Sequence, residues 1–365
     1  MDIADISLIV VAGGKSSRLG RDKRFIKLNG IAMLERLLIN LAKLPFKAKI
    51  LAAEENNNKL QALADRYELT IVTDRLKEVG PMEGIANGLF AMPTEYAQIV
   101  SCDMPFFNSS VIDNLLAAYN TADKKYLALI PKTFQHRQPL AGLYHKDLAT
   151  IFKAELAADR RRIGSAIEKV IYNLVPQTDN TPFFNVNTKA DYRLAQGRII
   201  NLARKIPLVT ITAPKSNTGK TTFIEKLLPQ LAARGIKVGV VKGDAHGYTL
   251  DKEGKDSYRF NNAGANALAV VSPTGYFIEQ KMSPRPPLEN IAQLLTGVDL
   301  VLIESRAHGC APKISLYRGL ATPIADDDTA LLFTSCPLSI DGIYQYDLND
   351  SEKAAELTLF LSGLN

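Results

Sequence analysis

The chain's strongest constraint is a short apolar run, Ile6 to Val11, that empties into A-G-G-K-S-S-R-L-G-R-D-K over residues 12–23. An apolar run of this length, bounded by a glycine loop, fits a strand buried on both faces of a parallel sheet. Glycines 13, 14 and 20 let backbone N–H groups approach an anion with no Cβ in the way. Arg18 and Lys23 bring positive charge to the same loop. A strand that ends in a glycine-rich, basic loop is a site for polyphosphate. The spacing is neither that of a P-loop nor G-x-G-x-x-G.

Strand candidates recur at Ile6–Val11, Lys49–Ala53, Leu69–Val72, Tyr96–Ser101 and Tyr126–Ile130. Helical patterns lie between them, at Ile31–Leu44, Lys59–Tyr67, Gly84–Met92 and Ser110–Ala122. The alternation predicts an α/β doubly wound, mostly parallel sheet, with ligands at the carboxyl ends of its strands. Asp103, in S-C-D-M-P, stands at such an end. A single carboxylate there suits Mg²⁺, which keeps several waters and takes substrate phosphates as further ligands. Asp74 and Gly80-Pro81-Met82-Glu83-Gly84 follow another strand and could wrap a base, with Pro81 near the first position of a helix. Arg137 to Tyr144 reads as a strand with a polar start. Asp159-Arg160-Arg161-Arg162 reads either as a solvated turn or as a dock for a phosphorylated second substrate. Phe183 to Thr188 carries Asn185 and Asn187 two residues apart, on one side if the segment is a strand.

Together these five motifs, the glycine loop, C-D-M-P, G-P-M-E-G, Q-P-L-A-G-L-Y and F-x-N-V-N-T, resemble the molybdenum cofactor guanylyltransferase (MobA) family, in that family's order over about residues 5–197. The resemblance implies a nucleotidyltransferase that takes GTP and a molybdopterin-type molybdenum cofactor to the guanine dinucleotide form and pyrophosphate. It implies that Ala12, Gly13, Gly14 and Lys23 bind the GTP phosphates and nearby groups. It puts Asp74, with Gly80 and Pro81, on the nucleoside, Asp103 on Mg²⁺, and Asn185 and Asn187, with Arg161, on the pterin side. Arg18, Lys23 and Asp103 are then the residues expected to carry the transfer. A cytidylyltransferase on the same cofactor, or a non-catalytic carrier or scaffold, are the rival readings.

Arg198 to Pro207 forms a basic joint, and a second cycle opens at the strand Leu208–Thr212. The expected partition is a domain over 1–197, a linker over 198–206 and a P-loop domain over 207–365. Ala213-Pro214-Lys215-Ser216-Asn217-Thr218-Gly219-Lys220-Thr221-Thr222 ends as a Walker A loop does, with Lys220 for the β- and γ-phosphates and Thr221 for Mg²⁺. Pro214 stands where that motif has its first glycine, and proline has no N–H to donate. The strand Leu300–Ile303 ends at Glu304, which suits the carboxylate that holds the metal's water shell. With Lys242 to His246, Gly254 to Ser257 and Ala311 to Ile314, these pieces resemble the molybdopterin-guanine dinucleotide accessory GTPase (MobB) family over about residues 207–345. A histidine-rich stretch is reduced here to His246, and Ser305 and Arg306 replace a glycine and an aromatic. The resemblance implies nucleotide binding in this half, with weak hydrolysis at most, and service to molybdoenzymes or their chaperones.

The bulk numbers bound the rest. At 365 residues two domains are expected. A net charge of +6 favours anionic ligands, but the basic residues are spread and not interleaved with aromatics, which argues against a nucleic-acid partner. Cys102, Cys310 and Cys336 form no C-x-x-C pair, which suits a reducing cytoplasm. Residues 1–7 carry two aspartates and no basic stretch, so they do not read as a signal peptide. No apolar run approaches the roughly 18 residues of a membrane span. Asp326-Asp327-Asp328 reads as a solvated acidic turn.

Overall fold

The computed structural model describes residues 1–13, 22–76, 79–134, 136–244, 247, 254–306, 309–319 and 321–364. Two compact units divide the chain, Met1–Ala195 and Gln196–Leu364. The division falls inside the helix Lys189–Leu202, so residues 198–202 of the expected linker are helical.

The first unit holds a seven-stranded sheet in the order Thr70–Thr73, Ala48–Ala53, Ser7–Val11, Tyr96–Ser101, Leu143–His145, Ala128–Lys132, Tyr172–Pro176. Side chains alternate across it with period two. Leu8 and Val10 pack on one face with Leu34, Leu37, Leu38, Val111 and Ile112 of the helices Met33–Leu41 and Ser109–Asn120. Ile9 and Val11 pack on the other with Met82, Ile85, Leu89 and Phe152 of the helices Pro81–Ala91 and Leu148–Ala157. Burial on both faces is why the strand carries no hydrophobic alternation.

Two expectations are corrected. Leu143–His145 runs antiparallel to both neighbours, and the Q-P-L stretch before it is a 3₁₀ turn, Pro139–Ala141. The helix expected from Ile31 begins at Met33, because Lys27–Leu28 and Ile31–Ala32 form a hairpin. Asn29 (φ +46°) and Gly30 (φ +82°) supply the two left-handed residues that its two-residue turn demands.

The second unit holds a six-stranded parallel sheet in the order Val238–Lys242, Leu300–Glu304, Leu208–Thr212, Lys313–Tyr317, Thr329–Thr334, Tyr344–Asp347. Leu208, Val301 and Ile303 anchor a core against Leu288 and Ala292. A separate antiparallel pair, Ala267–Ser272 with Gly275–Gln280, was not anticipated from the sequence pattern. The acidic run is not merely solvated: Lys313 Nζ lies 2.7 Å from Asp326 and 3.3 Å from Asp328. Among the described residues no helix is long and apolar enough to cross a membrane.

Candidate active site and a second phosphate loop

In the first unit the strand order reverses about Ser7–Val11, whose two neighbours are Ala48–Ala53 and Tyr96–Ser101. Ala12 and Asp103 follow the carboxyl ends of adjacent strands, where the backbone stays paired through Cys102 N to Val11 O at 3.0 Å. That places Asp103 beside the start of the glycine loop. Lys23 returns to the same point from the far end of the loop. Its turn, Lys23–Phe25, is capped by the Asp22 carboxylate, which accepts from Arg24 N at 3.1 Å and grips the Arg24 guanidinium at 2.9 and 2.7 Å. Arg24 Nη1 in turn donates to Ala12 O at 3.4 Å.

Lys23 Nζ stands 2.7 Å from Asp103 Oδ2. Burial works against the ammonium, but Asp103 more than offsets it, and the Lys23 pKa is raised above the usual lysine range. Asp103 is 5% exposed, and its second oxygen, Oδ1, is buried with no hydrogen-bond partner among the described residues. A buried, unpartnered carboxylate oxygen beside the start of a glycine loop fits a hard divalent cation. Among the described residues no group of three His, Cys, Asp or Glu side chains could hold such an ion without help from substrate. Burial pushes the neighbouring Cys102 thiol up to about 12, which removes it as a nucleophile.

Asp74 closes the other side. Its Oδ2 lies 3.8 Å, and Oδ1 of the same carboxylate 3.4 Å, from the points where a Cβ would stand on Gly13 and Gly84 respectively. Burial, then the carboxylates of Glu83 and Glu54, raise the Asp74 pKa to about 6, and Oδ1 is buried without a partner. Glu83, which sequence reasoning passed over, is fully buried and holds Lys153 Nζ at 2.7 Å. It also accepts from Asn87 Nδ2 and Arg75 N, each at 3.3 Å. Gly80 takes φ +85° at the start of the helix Pro81–Ala91, which only glycine adopts without strain.

Phe183 to Thr188 is no strand but a 3₁₀ turn, Thr181–Phe183, followed by irregular chain. Val186 N donates to Asp103 O at 2.9 Å, which draws Asn185 and Asn187 to the Asp103 segment. Asn185 Nδ2 donates to Phe183 O at 3.0 Å. Asp191 Oδ2 fixes Asn187 and Thr188 through their N–H groups at 3.0 and 2.8 Å. The basic cluster serves the fold in part: Arg160 clamps the buried Glu155 at 2.8 Å, and Arg161 pairs with Asp159 at 2.9 Å. Q-P-L-A-G-L-Y is also architectural, since Gln98 Nε2 donates to Ala141 O and Tyr144 OH to Pro139 O. Gly14 and Arg18 lie outside the described residues, as does His246.

In the second unit Leu208–Thr212 feeds the loop 213–219, and Gly219 (φ +95°) opens the helix Lys220–Ala232. Thr221 Oγ1 stands 3.2 Å from both oxygens of Glu304, across two neighbouring strands' ends. Both line a cavity of about 540 Å³ with Gly219, Lys220, Thr222 and Arg306. The Walker-type threonine and carboxylate are therefore together.

Comparison with known proteins agrees with both halves. Residues 8–173 match the MobA-like NTP transferase domain and residues 208–333 match molybdopterin guanine dinucleotide synthesis protein B. A molybdenum cofactor guanylyltransferase of Vibrio cholerae is 30% identical over 51% of this chain and 88% of its own length. Molybdopterin-guanine dinucleotide biosynthesis adapter proteins of Haemophilus influenzae and Escherichia coli are 39% and 34% identical, over 40% and 42% of this chain and 83% and 92% of theirs. A buried lysine–aspartate pair at a glycine loop and a P-loop facing a strand-end glutamate thus fall in the halves that these relatives match. The chain belongs to the molybdenum cofactor guanylyltransferase family over its first half and to the MobB adapter family over its second.

Proposed function

We propose that the first half transfers GMP from GTP to a molybdopterin-type cofactor, forming the guanine dinucleotide and releasing pyrophosphate, and that the second half is its GTP-binding accessory. The observation that carries this reading is the Lys23–Asp103 pair, with Asp103 Oδ1 left open. The functional partition is 1–197 and 207–365, and a cytoplasmic setting suits three free cysteines. Molybdoenzymes or their chaperones are the proposed recipients.

The nucleophile is the terminal phosphate of the pterin substrate. Like other phosphate monoesters it has a second pKa near about 6, so it is largely dianionic at neutral pH and needs no general base. The obstacle is the meeting of two polyanions. Asp103 would hold Mg²⁺, and Thr221 and Glu304 would hold another in the accessory half. Bound Mg²⁺ supplies charge neutralisation on the α-phosphate and the leaving pyrophosphate. Lys23 and Arg18 add positive charge, with Lys23 leaving Asp103 for a phosphate oxygen when nucleotide arrives. Gly13 and Gly14 would offer backbone donors, with Ala12 bordering them, its own N–H being engaged by Ala52 O at 2.7 Å. Asp74, Gly80 and Pro81 border the nucleoside, and Asn185, Asn187 and Arg161 the pterin. In the accessory half Gly219, Lys220 and Thr222 cradle the phosphates.

The test is pyrophosphate release from GTP, Mg²⁺ and molybdenum cofactor by the full chain. Asp103→Asn is expected to lower turnover by about 10³-fold. Near-normal turnover by that variant refutes the mechanism, and preference for CTP over GTP refutes the guanine assignment.

A further inference from the structure

We propose that Arg318, a residue no motif singles out, is part of the second unit's phosphate grip and makes good the donor lost at Pro214. This rests on the reading of that loop as a nucleotide site. Arg318 follows directly on the strand Lys313–Tyr317, which lies beside Leu208–Thr212, the strand that feeds the loop. The two carboxyl ends therefore open side by side, where ligands of a parallel sheet bind. The point where a Cβ on Gly219 would stand is 3.0 Å from Arg318 Nη2, 3.4 Å from Cζ and 3.5 Å from Nε. The guanidinium thus lies close to the α-carbon of the residue that precedes Lys220. No hydrogen bond or ion pair holds Arg318 to another described residue, although Asp244 and Glu304 both line the nearby cavity. A guanidinium lying against a phosphate loop, with no partner among the described residues, is a donor set for phosphate oxygens, and its fork suits them better than an ammonium does.

Proline at 214 leaves the loop one N–H short, and a charge-assisted bond from Arg318 replaces it. The ligand class is a nucleoside di- or triphosphate, gripped by its terminal phosphates.

The experiment is calorimetric titration of the full-length chain with GTP and Mg²⁺. The binding event that Lys220→Ala removes is the P-loop event. Arg318→Ala is expected to weaken that event by about 10- to 100-fold, and Arg318→Lys by less. The unliganded melting midpoint should stay unchanged, as Arg318 is exposed. If Arg318→Ala leaves the event within about twofold, the role of Arg318 is overturned while the P-loop reading stands. If the Lys variant is as weak as the Ala variant and both lower the unliganded midpoint, Arg318 is structural and the proposal fails. If Lys220→Ala removes no event, the P-loop reading itself falls and takes the proposal with it.

Discussion

Asp74 is a carboxylate whose neighbours are arranged against its charge. It is partly buried, two other carboxylates face it, and its pKa rises to about 6. Glu83 beside it has the opposite fate: burial opposes its charge, but Lys153 and Asn87 hold its pKa below the ordinary range, so it stays ionised. If Asp74 accepts N–H groups of the guanine base, it must be charged to do so. GTP affinity at the first site is therefore expected to fall as pH drops through about 6, measured by calorimetry between about pH 5 and 8. Glu83→Gln removes a negative neighbour, makes charging Asp74 easier, and should move the midpoint of that fall to lower pH. An unmoved midpoint would mean that Glu83 does not set the Asp74 charge. The aspartate itself is readable from its place after a strand. Its pKa is not, because Glu54 and Glu83 reach it from other segments of the chain.

The Glu83–Lys153 pair also joins two helices, Pro81–Ala91 and Leu148–Ala157, which pack together on one face of the sheet. Glu83 is fully buried while Lys153 keeps about a third of its side chain exposed, so removing the lysine strands a charge that has no water. Lys153→Met is expected to cost about 3 kcal/mol, read as a shift in the urea midpoint. Pairing it with Glu83→Leu should restore part of the loss, because no stranded carboxylate remains, while Arg75 N and Asn87 Nδ2 lose their acceptor. A double variant no more stable than the single one would assign the cost to lost packing of the lysine stem. This scale also shows what the pattern of residues could and could not tell. Tyr96–Ser101 and Leu208–Thr212 are found where expected, since strands buried on both faces announce themselves by composition alone. Strand direction leaves no such mark, so nothing in Arg137 to Tyr144 announces that Leu143–His145 runs antiparallel. The hairpin at Asn29-Gly30 did leave a signal, which the helical periodicity after it concealed. Asn185 and Asn187 reach the Asp103 segment by a backbone bond from Val186, a contact no spacing rule encodes.

At the scale of the molecule, the chain repeats one device with different parts. Each unit has a buried parallel strand that opens into a glycine-containing loop, a lysine, and a carboxylate from the end of an adjacent strand. In the first unit the lysine and carboxylate are locked together at 2.7 Å. In the second, Glu304 is engaged by Thr221 and not by Lys220. The first arrangement gives the carboxylate a lysine as its counter-ion. The second leaves the carboxylate beside the hydroxyl with which it would share a metal's water shell. Each set of described residues lies within one unit, so each is expected to bind phosphate by itself. Titration with GTP and Mg²⁺ is therefore expected to give close to two nucleotides per chain. Lys220→Ala should reduce this to one, and adding Asp103→Asn should weaken or abolish the remaining event. A wild-type stoichiometry of one would mean that one of the two loops does not bind nucleotide, and the single variants would say which.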